Sequence, residues 1–114
     1  MIIYIQPVPK PRMTRSDKWK KRPCVLAYRA FADELRLKVR KLPEPPFKIT
    51  FYIHSKIASR HDTPHLYRPD VDNLAKAAID ALWPAADAHI WSIWSEKKWT
   101  RDQSHIVIEP LHVP

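Results

Sequence analysis

A chain of 114 residues is long enough for one domain with one hydrophobic core, and its 45% hydrophobic content is ordinary for a soluble globular protein. The lone Cys24 excludes an internal disulfide and a cysteine-based zinc cluster, and no apolar run approaches the length of a membrane span. A net charge of +8 suits a polyanionic partner such as nucleic acid.

The N-terminus lacks the basic-then-apolar pattern of a signal peptide, which together with the cysteine usage points to the cytoplasm. The expectation is a single domain over residues 1–114, with no membrane partner. Glycine is absent, and twelve prolines take over the punctuation of the chain.

Met1 to Gln6 is a short apolar, β-branched run and predicts a buried strand. Pro7, Pro9 and Pro11 then forbid regular structure, so an extended loop is expected as far as Pro23. Seven of the thirteen residues from Lys10 to Arg22 are Lys or Arg: Lys10, Arg12, Arg15, Lys18, Lys20, Lys21 and Arg22, with Trp19 among them. Bases interleaved with an aromatic suit phosphate contacts combined with stacking. A solvated basic loop with Trp19 tucked against the core is the plainer alternative.

Tyr28, Phe31, Ala32, Leu35, Val39 and Leu42 follow helical spacing, predicting an amphipathic helix from about Val25 to Lys41. Glu34 and Lys38 are spaced for an i,i+4 pair, and Pro43-Glu44-Pro45-Pro46 ends the helix. Phe47, Ile49, Phe51 and Ile53 alternate with Lys48, Thr50, Tyr52 and His54, the pattern of a half-buried strand. Ser55 to Pro69 reads as a polar loop whose histidines, His61 and His65, are expected to be exposed. No further ligands at matching spacing make them a zinc site.

Arg68-Pro69-Asp70-Val71-Asp72-Asn73 brings two carboxylates to the start of a helix running to Leu82, with Asp72 or Asn73 suited to the N-cap. Val71, Leu74, Ala78 and Leu82 share the face to be buried, while Asp72, Lys76 and Asp80 recur on another. Crowded carboxylates repel unless a cation lies between them, and a hard ion such as Mg²⁺ meets that need. Asp87, just beyond the turn at Trp83–Ala86, is a third candidate ligand. Lys76 could stabilise charge on a phosphate, with Asp80 orienting the lysine. An ordinary structural role is open as well: Asp72 capping the helix, Lys76 paired with Asp72 or Asp80, and Asp87 in a turn.

His89 to Trp99 is expected as a strand without clean alternation, covered on both faces or meeting a partner subunit through its tryptophans. A turn over Thr100–Gln103 and a last strand from Ser104 to Glu109 complete the order β-α-β-α-β-β. The fold class is therefore α/β (α+β): a mixed sheet of about four strands with two packed helices.

Asp70-Val71-Asp72-Asn73-Leu74-Ala75-Lys76-Ala77-Ala78-Ile79-Asp80-Ala81-Leu82 resembles the signature of the RusA Holliday-junction resolvases, a family often encoded by phages and prophages. The opening Pro7-Val8-Pro9-Lys10-Pro11-Arg12-Met13-Thr14-Arg15 resembles the N-terminal loop of its phage-type members. The resemblance implies a homodimeric, Mg²⁺-dependent (Mn²⁺ possible) endonuclease that nicks four-way DNA junctions symmetrically and uses no small-molecule cofactor.

It further implies that Asp70, Asp72 and Asp87 bind metal as catalytic acids and that Lys76 is the functional lysine. Lys97 matches a basic residue of the following strand. Candidate DNA contacts are Lys10, Arg12, Arg15, Lys18, Lys20, Lys21, Arg68 and Lys97. Three departures surround Asp87: Ala86 replaces an acid, His89 replaces the usual glutamine, and the link from Leu82 is short and without glycine. Two other readings fit the same residues: a catalytically silent junction-binding protein and a metal-dependent nucleotide phosphohydrolase.

Overall fold

A computed structural model describes residues 1–11, 22–84 and 90–111. Among these are four strands, β1 (Ile2–Tyr4), β2 (Phe47–His54), β3 (Ile93–Thr100) and β4 (His105–Pro110). Helix α1 (Pro23–Lys38) follows β1, and helix α2 (Val71–Leu82) joins β2 to β3. The expected order, and the expected α+β architecture, are the ones observed. The strands form one mixed sheet in the order β1-β4-β2-β3, with β2 and β3 parallel and the other pairs antiparallel.

One face of the sheet makes the core. Phe47, Ile49 and Phe51 of β2 lie beside Ile106 and Ile108 of β4 and Ile3 of β1, and all are buried. Over them pack Tyr28, Phe31 and Leu35 of α1 and Leu74, Ala77, Ala78 and Ala81 of α2. Burying each of the larger apolar side chains stabilises the fold by about 1.5–3 kcal/mol. Trp83, just past α2, closes this layer by stacking on Phe47 at 5.7 Å.

Helix α1 starts with Pro23 in its first turn, where a missing N–H costs nothing. It ends three residues earlier than expected: Val39 turns extended and directs its buried side chain to the core, and Leu42 is exposed. The proline run that follows bars any return to helix. Lys38 and Glu34 form the expected pair at 3.2 Å. Arg36 donates to the carbonyl of Ala81 at 2.7 Å, satisfying an orphan acceptor at the end of α2 and tying the helices together.

Among the described residues no helix packs on the second face of the sheet. Tyr52 stacks on His105 (4.6 Å, 14°), and Lys48 lies over the ring of Trp94 (4.6 Å). Glu96 sits between Lys48 and Lys98 at 3.4 and 3.5 Å. Among the described residues no helix is long and apolar enough to cross a membrane.

Candidate functional site

The parallel pair β2 and β3 requires a crossover, and α2 supplies it. Before α2, the chain from Asp62 to His65 lies against the outer edge of β3. The N–H groups of Asp62 and His65 donate to the carbonyls of Trp99 and Lys97, and the N–H of Trp99 donates to Thr63 (3.0–3.1 Å). Asp62 takes φ 62°, a left-handed conformation that an aspartate tolerates in a chain without glycine. The Arg68–Pro69 peptide bond is cis.

Helix α2 begins two to three residues earlier than expected. Asp70 is the N-cap residue, in extended conformation, and its side chain makes no capping hydrogen bond. Asp72 therefore stands in the first turn rather than at the cap. Both carboxylates are exposed, and among the described residues neither has a salt-bridge partner. Lys76, one turn on, is likewise exposed, and among the described residues it has no salt-bridge partner. The positive end of the helix dipole lies at this point.

Two open clefts flank the start of α2. One, of about 610 Å³, is lined by Pro9, Lys10, Arg68, Pro69, Asp70 and Asn73. The other, of about 490 Å³, has Asp72, Lys76 and Asp80 on its polar side and Val71, Ile79, Ile90 and Ile93 on its apolar side. Lys10, Arg68 and Asp70 are thus brought together, as are Asp72, Lys76 and Asp80. Asp87, Arg12, Arg15, Lys18, Trp19, Lys20 and Lys21 lie outside the described residues. Among the described residues no group of three or more His, Cys, Asp or Glu side chains is arranged to hold a metal ion. Asp70 and Asp72 nevertheless offer the donor chemistry that Mg²⁺ takes: one or two uncommitted carboxylates, with the remaining positions open.

Four side chains have partners the spacing did not anticipate. Asp80 pairs with Lys10 rather than with Lys76, and the N–H of Lys10 donates to Asn73 at 3.3 Å, laying that segment along α2. Lys97 donates to the carbonyls of Tyr67 and Pro69, the latter at 2.7 Å. His65 is 4% exposed, not a solvated loop histidine, and its ring lies 4.0 Å from that of Trp99. Burial, then the charge of Lys97, pushes its pKa below the ordinary value. His61, likewise expected to be exposed, is half-buried and donates from its ring to the carbonyl of Ser55 at 2.7 Å.

The cluster of Arg60, His65, Tyr67 and Trp99 was not foreseen as a unit. Its one signal in sequence is the density of aromatic and basic residues in the loop before Asp70. No protein-family model matches the chain, and no curated protein matches it.

Proposed function

We propose that the chain is a structure-selective DNA endonuclease acting on four-way junctions, as resolvases of recombination and repair do. One observation carries the reading: Asp70, Asp72 and Lys76 stand exposed on the first turns of α2, without an ion-pair partner among the described residues, beside clefts that also hold Lys10 and Arg68. Lys10, which lines one of these clefts, opens the dense basic run that extends in sequence to Arg22, a charge density that suits a polyanion.

In this reading Asp70 and Asp72, with Asp87, would hold Mg²⁺ or Mn²⁺. The bound ion would polarise the phosphodiester and lower the pKa of a water molecule. Lys76 neutralises charge that develops on the phosphate oxygens. Arg68 fixes the strand by a phosphate contact, and the basic run holds the junction arms.

A homodimer suits the task, since a two-fold assembly presents two equivalent sites to a two-fold substrate. Trp91 and Trp94, both more than half exposed, offer apolar surface for it. Sedimentation equilibrium should report a dimer.

The decisive experiment is cleavage of a labelled synthetic four-way junction beside a linear duplex of the same sequence, with Mg²⁺ and with EDTA. Paired symmetric nicks in the junction alone, lost with EDTA and in Asp70→Asn, are expected. Tight junction binding with no cut, even in Mn²⁺, would leave a silent junction-binding protein. Hydrolysis of free nucleotides with a shallow salt dependence would favour a phosphohydrolase.

A further inference from the structure

Tyr67 and Leu66 sit three and four residues before Asp70, so about 11 Å of backbone at most separates Tyr67 from that acid. Leu66 is 84% exposed and Tyr67 59% exposed. A single exposed apolar side chain is ordinary, but two in succession on a loop with a fixed backbone need a reason.

The backbone of Tyr67 is held at both ends. Its N–H donates to Nδ1 of His65 at 3.3 Å, and its carbonyl accepts from Lys97. Its ring is backed by the guanidinium of Arg60 at 5.1 Å, by Trp99 at 6.1 Å and by His65 edge-on at 6.2 Å. Arg60 is itself placed over Trp99 at 5.1 Å. With these neighbours in contact, more than half of the tyrosine still faces water.

We infer that Tyr67 is a stacking platform for an unpaired base of the nucleic acid whose phosphodiester lies at Asp70 and Asp72. This rests on the DNA reading above and adds to it the residue that selects unpaired over paired substrate. An aromatic face flanked by arginines fits a nucleobase joined to a phosphate: the ring takes the base, and Arg60 and Arg68 meet the backbone charge. Because the backbone of Tyr67 is fixed before binding, little ordering entropy opposes the contact. In a paired duplex the bases are already stacked and offer no free face, so only branch points, ends and single strands gain from the platform.

The test uses the full chain in EDTA, where binding is read without cleavage. Four-way junctions carrying 5-iodouracil at each branch-point nucleotide in turn are irradiated with near-ultraviolet light, and the adduct is mapped by mass spectrometry. Separately, binding is measured for wild type and Tyr67→Ala on junctions with the crosslinking base intact or replaced by an abasic site.

Tyr67 is expected to carry the adduct. Tyr67→Ala and the abasic site should each weaken binding by roughly tenfold, with almost no further loss when combined. Tyr67→Trp should bind as wild type does. An adduct elsewhere, or losses that simply multiply while DNA binding persists, would overturn the platform and leave the nuclease reading standing. Absence of any salt-sensitive binding to DNA by wild type would overturn both.

Discussion

Asp80 and Lys10, seventy positions apart in the chain, form an ion pair that fastens the start of the basic segment to the side of α2. Their side chains keep only 19% and 26% of their exposure, and the ammonium of Lys10 also lies 5.9 Å from the ring of Tyr28. The pair thus joins β1's exit, α1 and α2 beneath the cleft that holds Asp70.

Removing one member leaves a half-buried charge alone. Asp80→Asn or Lys10→Met should therefore destabilise the fold by about 1–3 kcal/mol, between the values for exposed and fully buried pairs. The double variant Lys10→Met/Asp80→Leu should recover most of that loss. Urea denaturation of the three variants measures it, and a double variant as unstable as the sum of the singles would mean that the pair is not coupled.

Lys97 organises the loop rather than presenting a free charge. Lys97→Met deprives two carbonyls of their donor, a loss of about 1–3 kcal/mol. Amide exchange should speed up in residues 62–69 more than in the β2–β4 pairing. A uniform change across the sheet would place the role of Lys97 elsewhere.

The buried imidazole of His65 sets a pH dependence with a definite sign. Its folded pKa lies below the ordinary 6.5, from burial first and the charge of Lys97 second. As pH falls through 6.5 the unfolded chain takes up a proton that the folded chain refuses, and stability declines. The decline continues at up to about 1.4 kcal/mol per pH unit until folded His65 itself protonates. Above pH 7 the contribution is flat. Urea midpoints between pH 5 and 8 for wild type and His65→Phe give the comparison, and the difference between them should carry the slope.

Lys76 makes no ion pair among the described residues and is exposed, so its removal should leave stability within about 0.5 kcal/mol. Junction cleavage by Lys76→Ala should fall by roughly 10²–10³ in kcat, with DNA affinity little changed. Lys76→Arg should restore part of it. Loss of affinity in step with rate would make Lys76 a simple phosphate contact.

The fold was largely legible because its central elements carry clean periods. The alternation in Phe47–His54 and the helical spacing through Tyr28, Phe31 and Leu35 became a strand and a helix with those residues inside. β3 gave no such pattern, and the reason is visible. Its helix-side row runs Ile93, Ser95, Lys97, Trp99, where Lys97 serves backbone carbonyls and Trp99 serves His65. On the opposite row, Trp94 stays more than half exposed, with Lys48 over its ring.

Of the site, the acids at the start of α2 were legible from local spacing, since a helix start is a local event. Asp80 with Lys10, and His65 with Trp99, were not. Those partners meet only through the crossover between β2 and β3, which one-dimensional spacing does not encode.

The segment from Asp62 to His65 has a second consequence. β3 lies at the margin of the sheet, where a row of unsatisfied peptide groups invites a neighbouring chain to add a strand and start an aggregate. By pairing with Lys97 and Trp99, and by the bridge from Pro64 to Lys98, the loop blocks the C-terminal half of that margin. The hydrogen bonds of this segment thus cover an edge that would otherwise be open to a neighbouring chain. Substitutions that loosen residues 62–65 should surface first as aggregation during expression.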